Sequence, residues 1–261
     1  DHLDYHKNFK NYLNSKLILF NEILKKNGYL ISDSNIKEFK KLTKIAKKRK
    51  LKILDSDKIY NKINNLKLKL IGDFQYKNLS MAVQSALLCD LSFKKIEKSL
   101  YKIQSVEGRL SEIKTFKNGS KVFIDFAHTP EALEKVLCSI KSNFSRKISV
   151  VFGCGGQRDS KKRPLMGKIA SKYCEKIYIT DDNPRYENAK KIRKEIIKGI
   201  RNSNYFNIGS RSNAIKTAVM NSDPGEIILV AGKGHETFQD YGKMQRKISD
   251  KSIVKKIKLN K

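Results

Sequence analysis

From about residue 106 onward the chain alternates strictly between short apolar runs and amphipathic runs of helix length. This alternation constrains the fold more than any other feature. The pattern predicts strands at 121–126, 147–152, 176–180, 205–208 and 226–232, separated by helices at 130–141, 161–175, 187–200 and 211–220. A strand, a helix and a second strand in series close as a right-handed crossover with the strands parallel. The expected class is therefore α/β, with a doubly wound, Rossmann-like parallel sheet in residues 106–261 and a domain boundary near 105. Residues 1–105 are strand-poor and are expected to form part of a second α/β domain. Apolar spacing from Phe9 to Leu24 predicts a helix over 7–25 stopped by Gly28, then a strand at 29–32. The polar stretch 34–72 yields only strands near 51–55 and 66–71, and helices follow near 76–89 and 92–102.

Composition removes several function classes. No uninterrupted run of about 18 apolar residues exists, so no membrane-spanning helix is expected. The opening DHLDYHKNFK lacks the layout of a secretory signal and begins on Asp, so the chain is expected to be a piece of something longer. The 56 Lys and Arg against 26 Asp and Glu leave a net charge of +30, a field able to attract nucleic acid. Only ten of those 56 are Arg, and there is no Trp, whereas sequence readers rely on Arg forks and stacking rings. Specific nucleic-acid binding is therefore disfavoured, and the lysine-dense runs at 36–52 and 251–261 are expected to be a solvated face and a solvated tail. Cys89, Cys138, Cys154 and Cys174 form no C-x-x-C pair, which suits a reduced, cytoplasmic chain. Cys154 lies in a glycine-rich loop with no His beside it, a poor setting for a nucleophile.

In an open parallel sheet, ligands bind beyond the carboxyl ends of the strands. The residues at those ends carry the chemistry: Asp125 and His128; Gly153, Gly155, Gly156, Arg158 and Asp159; Asp182, Asn183, Pro184 and Arg185; and Lys233, His235 and Glu236. Each cluster taken alone reads as turn or cap chemistry, and GCGG lacks the third glycine of the dinucleotide fingerprint. Together, Arg158 and Arg185 set against Asp182 and Glu236 suit a small zwitterion. The guanidinium forks would take carboxylate oxygens and the acids an ammonium.

Longer words run the length of the chain: DHLDYH at 1–6, NSKLILF at 14–20, GDFQYKNLSMAV at 72–83, EGRLSEI at 107–113, FIDFAHTPEALEKVL at 123–137, VFGCGGQRDSKKRPLMG at 151–167, TDDNPR at 180–185 and AGKGHETFQ at 231–239. On these the chain resembles the Mur ligase family, most closely its MurE branch. The resemblance implies the second half of a central ATPase domain followed by the amino-acid-binding C-terminal domain. It implies ATP-dependent, Mg²⁺-dependent amide formation through an acyl phosphate, joining meso-diaminopimelate to a UDP-N-acetylmuramoyl dipeptide in peptidoglycan precursor synthesis. Catalysis of that kind rests on positioning and charge neutralisation.

By the same resemblance His2 and a carbamylated Lys16 would support the metal, an oxygen-rich anion being suited to a hard cation. Asn78, Arg109, Asp125 and His128 would contact the nucleotide. Arg158, Asp182, Asn183, Pro184, Arg185, Gly232 and Glu236 would hold meso-diaminopimelate. In this family the DNPR wording goes with that substrate, and lysine-adding relatives lack the arginine. The charge argument agrees, because Arg185 would be left a buried, unpaired cation by a substrate without a distal carboxylate.

The phosphate loop G-x-x-G-K-[ST], whose amides and Lys cradle the nucleotide, does not occur in these 261 residues. The polypeptide is thus expected to lack ligase activity alone, unless a separate chain supplies the missing half. Two other readings stand beside this one: a basic nucleic-acid-binding α/β protein, and a non-catalytic amino-acid-binding remnant.

Overall fold

The computed structural model describes residues 3–201 and 204–259, and the chain divides into one unit over 2–104 and another over 105–261. In the first unit α1 (Leu3–His6) and α2 (Phe9–Ile18) lead into a π-helical turn at Leu19–Ile23, so the expected long helix changes its winding before Gly28. Strand β1 (Tyr29–Ser32), helix α3 (Phe39–Arg49) and strand β2 (Lys52–Asp55) form a parallel βαβ unit. Leu17, Leu30, Leu42, Ile45, Ala46 and Leu51 pack together on its inner side. Helix α3 was hidden in the sequence by its lysines. Lys40, Lys41, Lys44, Lys47 and Lys48 point to solvent while Leu42, Ile45 and Ala46 keep helical spacing on the buried face.

Helices α4 (Asp57–Ile63), α5 (Asp73–Leu87) and α6 (Phe93–Leu100) enclose a second cluster around Ile63, Val83 and Leu100. The strand expected at 66–71 is reduced to one bridge between Lys69 and Gln104. Leu66 and Leu68 spend their apolar surface on the helix cluster instead of on a ladder.

The second unit is built on six strands: β3 (Ser111–Thr115), β4 (Lys121–Asp125), β5 (Ile148–Phe152), β6 (Lys176–Ile179), β7 (Tyr205–Asn207) and β8 (Ile227–Ala231). Helices α7 (Pro130–Asn143), α8 (Lys162–Tyr173), α9 (Ala189–Ile197) and α10 (Arg211–Met220) make the crossovers. The sheet order is β3-β4-β8-β5-β6-β7. The doubly wound sheet is as expected, with one correction: it is mixed, because β3 pairs antiparallel with β4 at the edge. Strand β8 returns from the far side of the chain to insert between β4 and β5, which brings the loops after β4, β5, β6 and β8 to one end.

Val122, Ile124, Val151, Ile228 and Val230 pack on Ala214, Ile215, Ala218 and Val219 of α10. A hairpin of β9 (Phe238–Asp240) and β10 (Gln245–Lys247) then leads to α11 (Asp250–Lys256). The carboxyl-terminal run is therefore not the solvated tail expected from its lysines. Val254, Ile257 and Leu259 join the sheet core, and Asp250 is 1% exposed.

Candidate functional site

Thr129 caps α7 through the Ala132 N–H, with Pro130 in its first turn, so the segment after β4 must leave the strand sharply. Asp125 lies at that exit, 4% exposed. Its Oδ1 accepts the Ala127 N–H and its Oδ2 the Leu110 N–H, both at 2.7 Å. Burial pushes its carboxyl above the ordinary range despite these donors and the nearby charges of Arg109 and His128. The Phe126 ring beside it meets three groups: the Arg109 guanidinium 4.9 Å from its centroid, His128 edge-on at 4.8 Å, and His235 stacked at 5.8 Å.

The glycine turn after β5 meets the loop after β6 backbone to backbone. A Cβ on Gly156 would lie 1.9 Å from the Pro184 carbonyl oxygen, so only glycine fits. The Gly156 N–H donates to the Asn183 carbonyl at 2.9 Å. Arg163 on α8, 1% exposed, bolts these loops together. It donates to both Glu187 oxygens at 2.6 and 2.7 Å, to Glu195 at 2.7 Å and to the Gly155 carbonyl at 3.2 Å. The same guanidinium holds the Glu187 carboxyl below the usual carboxylate range.

Asn183 is the hub of the rim. Its Oδ1 accepts from Lys233 Nζ and from the Asp240 N–H, each at 3.0 Å, and its Nδ2 donates to Glu236 Oε2 at 3.1 Å. Lys233 Nζ reaches the same Glu236 oxygen at 2.7 Å. Burial alone would raise the Glu236 carboxyl, but the Lys233 ammonium, with the Asn183 amide and His235 beside it, holds the group below the usual carboxylate range. Arg185 sits in the left-handed region, φ 53°, held by its N–H to the Asp240 carbonyl at 2.9 Å. Its Nη1 donates to the Gly156 carbonyl at 2.8 Å. Arg158 lies alongside. A Cβ on Gly155 would stand 3.0 Å from Arg185 Nη1 and 3.8 Å from Arg158 Cγ.

Arg158, Asn183, Pro184, Arg185 and Glu236 are thus brought together at one end of the sheet. The structure departs from the expected charge pattern at Arg185 and Asp182. Arg185 is not an unpaired cation in the bare chain, because two backbone carbonyls and the Asp240 carboxylate, 3.8 Å from its Nε, already face it. Asp182 is not a rim acid. Its Oδ1 accepts the Asn183 N–H, while its buried Oδ2 has no hydrogen bond and lies 3.9 Å from Arg211 Nη1, behind Gly232. Gly232, at φ 110°, is confined there, since a Cβ would stand 2.7 Å from that oxygen.

Sequence reasoning missed Arg211, Asp250, Asp181 and Arg193. Arg211 is buried and bound bidentately to Asp250 at 2.8 and 2.7 Å. Asp181 takes the Arg193 guanidinium and the Tyr241 hydroxyl. These partners lie far apart along the chain, so no local spacing announces them. The Cys154 thiol is pushed up to about 12 by complete burial, in line with its poor setting as a nucleophile.

The other proposed contacts lie on the first unit. Lys16 is exposed on α2 with its Nζ 5.5 Å from the Tyr12 ring, Asn78 is exposed on α5, and His2 lies outside the described residues. Among the described residues no three His, Cys, Asp or Glu side chains gather as a metal site.

Residues 108–234 match the family model for the Mur ligase glutamate ligase domain, and residues 1–61 match that for the Mur ligase middle domain. The chain belongs to the Mur ligase family. It is 40% identical to the UDP-N-acetylmuramoyl-L-alanyl-D-glutamate--2,6-diaminopimelate ligase of Rickettsia bellii, over 97% of this chain and 58% of that protein. A solved structure of a ligase with the same name superposes with a TM-score of 0.57 at 27% identity, covering 98% of this chain and 57% of that one. The folylpolyglutamate synthase/dihydrofolate synthase of Yersinia pestis, TM-score 0.63 at 13% identity over 80% of this chain and 51% of its own, shares the fold. This Mur ligase chain spans little more than half the length of the curated relative from Rickettsia bellii.

Proposed function

We propose that the 105–261 unit is the amino-acid-binding domain of a diaminopimelate-adding ligase. The whole enzyme would join that amino acid to a UDP-N-acetylmuramoyl dipeptide in the assembly of a peptidoglycan precursor. The observation that carries this is the approach of both Arg158 and Arg185 to Gly155, within one hydrogen-bonded rim that also holds Asn183 and Glu236. Two guanidinium groups with a carboxylate suit a ligand bearing both carboxylate and ammonium at its far end. The 2,6-diaminopimelate in the name of the Rickettsia bellii relative is such a ligand. The domain's own part is to orient the incoming amino acid, so that its reacting amine is delivered to the acceptor carboxylate in a fixed pose.

ATP would supply the phosphoryl group that activates that acceptor carboxylate. The cluster of Arg109, Phe126, His128 and His235 offers a flat, cationic face to a nucleotide. Asp125, with both oxygens engaged by backbone amides, acts first as the brace of that loop. The described residues do not assemble a donor set for Mg²⁺.

Titration calorimetry of the chain with meso-diaminopimelate and with lysine tests the reading. Heat from the first and not the second is expected, and Arg185→Ala should erase the difference. Equal binding of both by the wild type refutes it. A phosphate-release assay with ATP, UDP-linked dipeptide and meso-diaminopimelate should show no turnover by this chain alone, which has no phosphate loop in its sequence.

A further inference from the structure

We infer that Lys233, a residue outside the proposed ligand contacts, is the positioning residue of the amino-acid site: its buried ammonium orients Asn183 and Glu236 toward the ligand. The inference rests on the amino-acid reading above and deepens it.

A lysine that is 0% exposed requires a reason, because its charge must be offset where it lies. Lys233 finds two acceptors, Asn183 Oδ1 at 3.0 Å and Glu236 Oε2 at 2.7 Å. The Asn183 amide closes the triangle by donating to the same Glu236 oxygen at 3.1 Å. Both bonds fall on Oε2 and the Glu236 side chain is 37% exposed, so Oε1 remains available as an acceptor for an ammonium. The Asp240 N–H fixes the Asn183 amide from the hairpin side, so neither side chain can turn without breaking a bond.

The charged or titratable groups facing Glu236 are Lys233 and His235 from its own loop and Arg211 from α10. Lys233 alone touches it among these. Without that ammonium, burial would be offset only by the Asn183 amide and His235, and the carboxyl would hold its proton to a higher pH. A protonated Glu236 cannot serve a ligand ammonium.

The test is calorimetry of the full chain with meso-diaminopimelate from pH 5 to 8, for the wild type, Lys233→Met, Lys233→Gln and Lys233→Arg. Loss of a charged hydrogen-bond network predicts weakening of about tenfold or more in Lys233→Met near neutral pH. Its affinity should also decline at a higher pH than that of the wild type. Lys233→Gln keeps a donor without the charge and should show the same shift of the pH profile, which covers the case in which Lys233→Met does not fold. Lys233→Arg should restore the wild-type profile. A merely structural lysine would move the melting temperature and leave the profile alone. Wild-type binding with matching affinities and profiles in the folded neutral variants overturns the inference alone. A wild-type chain that gives no heat overturns the amino-acid reading and this inference with it.

Discussion

Replacing Arg211 by Met should destabilise the second unit more than any surface change can. Arg211 is fully buried and makes two bonds to Asp250, at 2.8 and 2.7 Å, and one to the Ala231 carbonyl at 3.0 Å. Asp250 is itself 1% exposed, so the substitution leaves a carboxylate sealed from water with its cation gone. Breaking one side of a buried pair costs about 3–5 kcal/mol. For a unit of roughly 150 residues each kcal/mol lowers the midpoint by about 2–4 °C, so a fall on the order of 10 °C is expected. Differential scanning calorimetry of the chain reads this directly, in the transition that belongs to residues 105–261. The double variant Arg211→Met/Asp250→Leu removes both charges of that pair and should recover part of the loss, because an apolar pair of similar volume is often as stable as the ion pair, while the buried Asp182 carboxylate 3.9 Å from Arg211 Nη1 still lacks its cation. A single variant that melts within about 2 °C of the wild type, under 1 kcal/mol, would refute the reasoning.

Other outcomes follow from the same geometry. Gly232→Ala should lose meso-diaminopimelate binding in calorimetry, because its Cβ would press on Asp182 Oδ2 at 2.7 Å and its φ is 110°. With strain of about 1–3 kcal/mol the domain should still fold, which circular dichroism checks. Brief alkylation of the native chain at pH 8 should label Cys89 and Cys138, which are exposed, and spare Cys154 and Cys174, whose burial pushes both thiols up. Mass spectrometry should find all four labelled only after unfolding. Glu187 has its carboxyl held low by Arg163, so its contribution to stability is complete above the ordinary value of 4.5 and is lost as pH falls through the lower folded value. Denaturant melts of Glu187→Gln between pH 3 and 7 should therefore lie below the wild type at neutral pH and converge with it in acid. A constant gap at every pH would contradict that linkage.

The sheet was legible because its cause is local. Strands such as ISVVF at 148–152 and IILVA at 227–231 are mostly apolar on both faces, as parallel strands covered by helices must be, and α7, α9 and α10 carry their own caps in Thr129, Asn188 and Ser210. The candidate rim was half legible for a related reason. Loops at the carboxyl ends of parallel strands are adjacent by topology alone, so Asn183, Arg185, Arg158 and Glu236 could be placed at one end from their order. Helix α3 is obscured by lysines that sit on its outer face, and α11 and the residues after it read as a tail because few apolar side chains, Val254, Ile257 and Leu259, carry their packing on the sheet.

What the amino-acid order settled by itself is the class of fold, the identity of the strand-end loops and membership in a family whose words those loops repeat. What only the folded chain decided is which charges are spent and which remain. Asp182 turned inward to Arg211, Glu236 came under the control of Lys233, and Asp250, just ahead of the expected tail, neutralises a buried guanidinium. The two pairings of Arg211 join residues far apart along the chain through burial. Burial belongs to the packed sheet and its helices, so no window of sequence can report it.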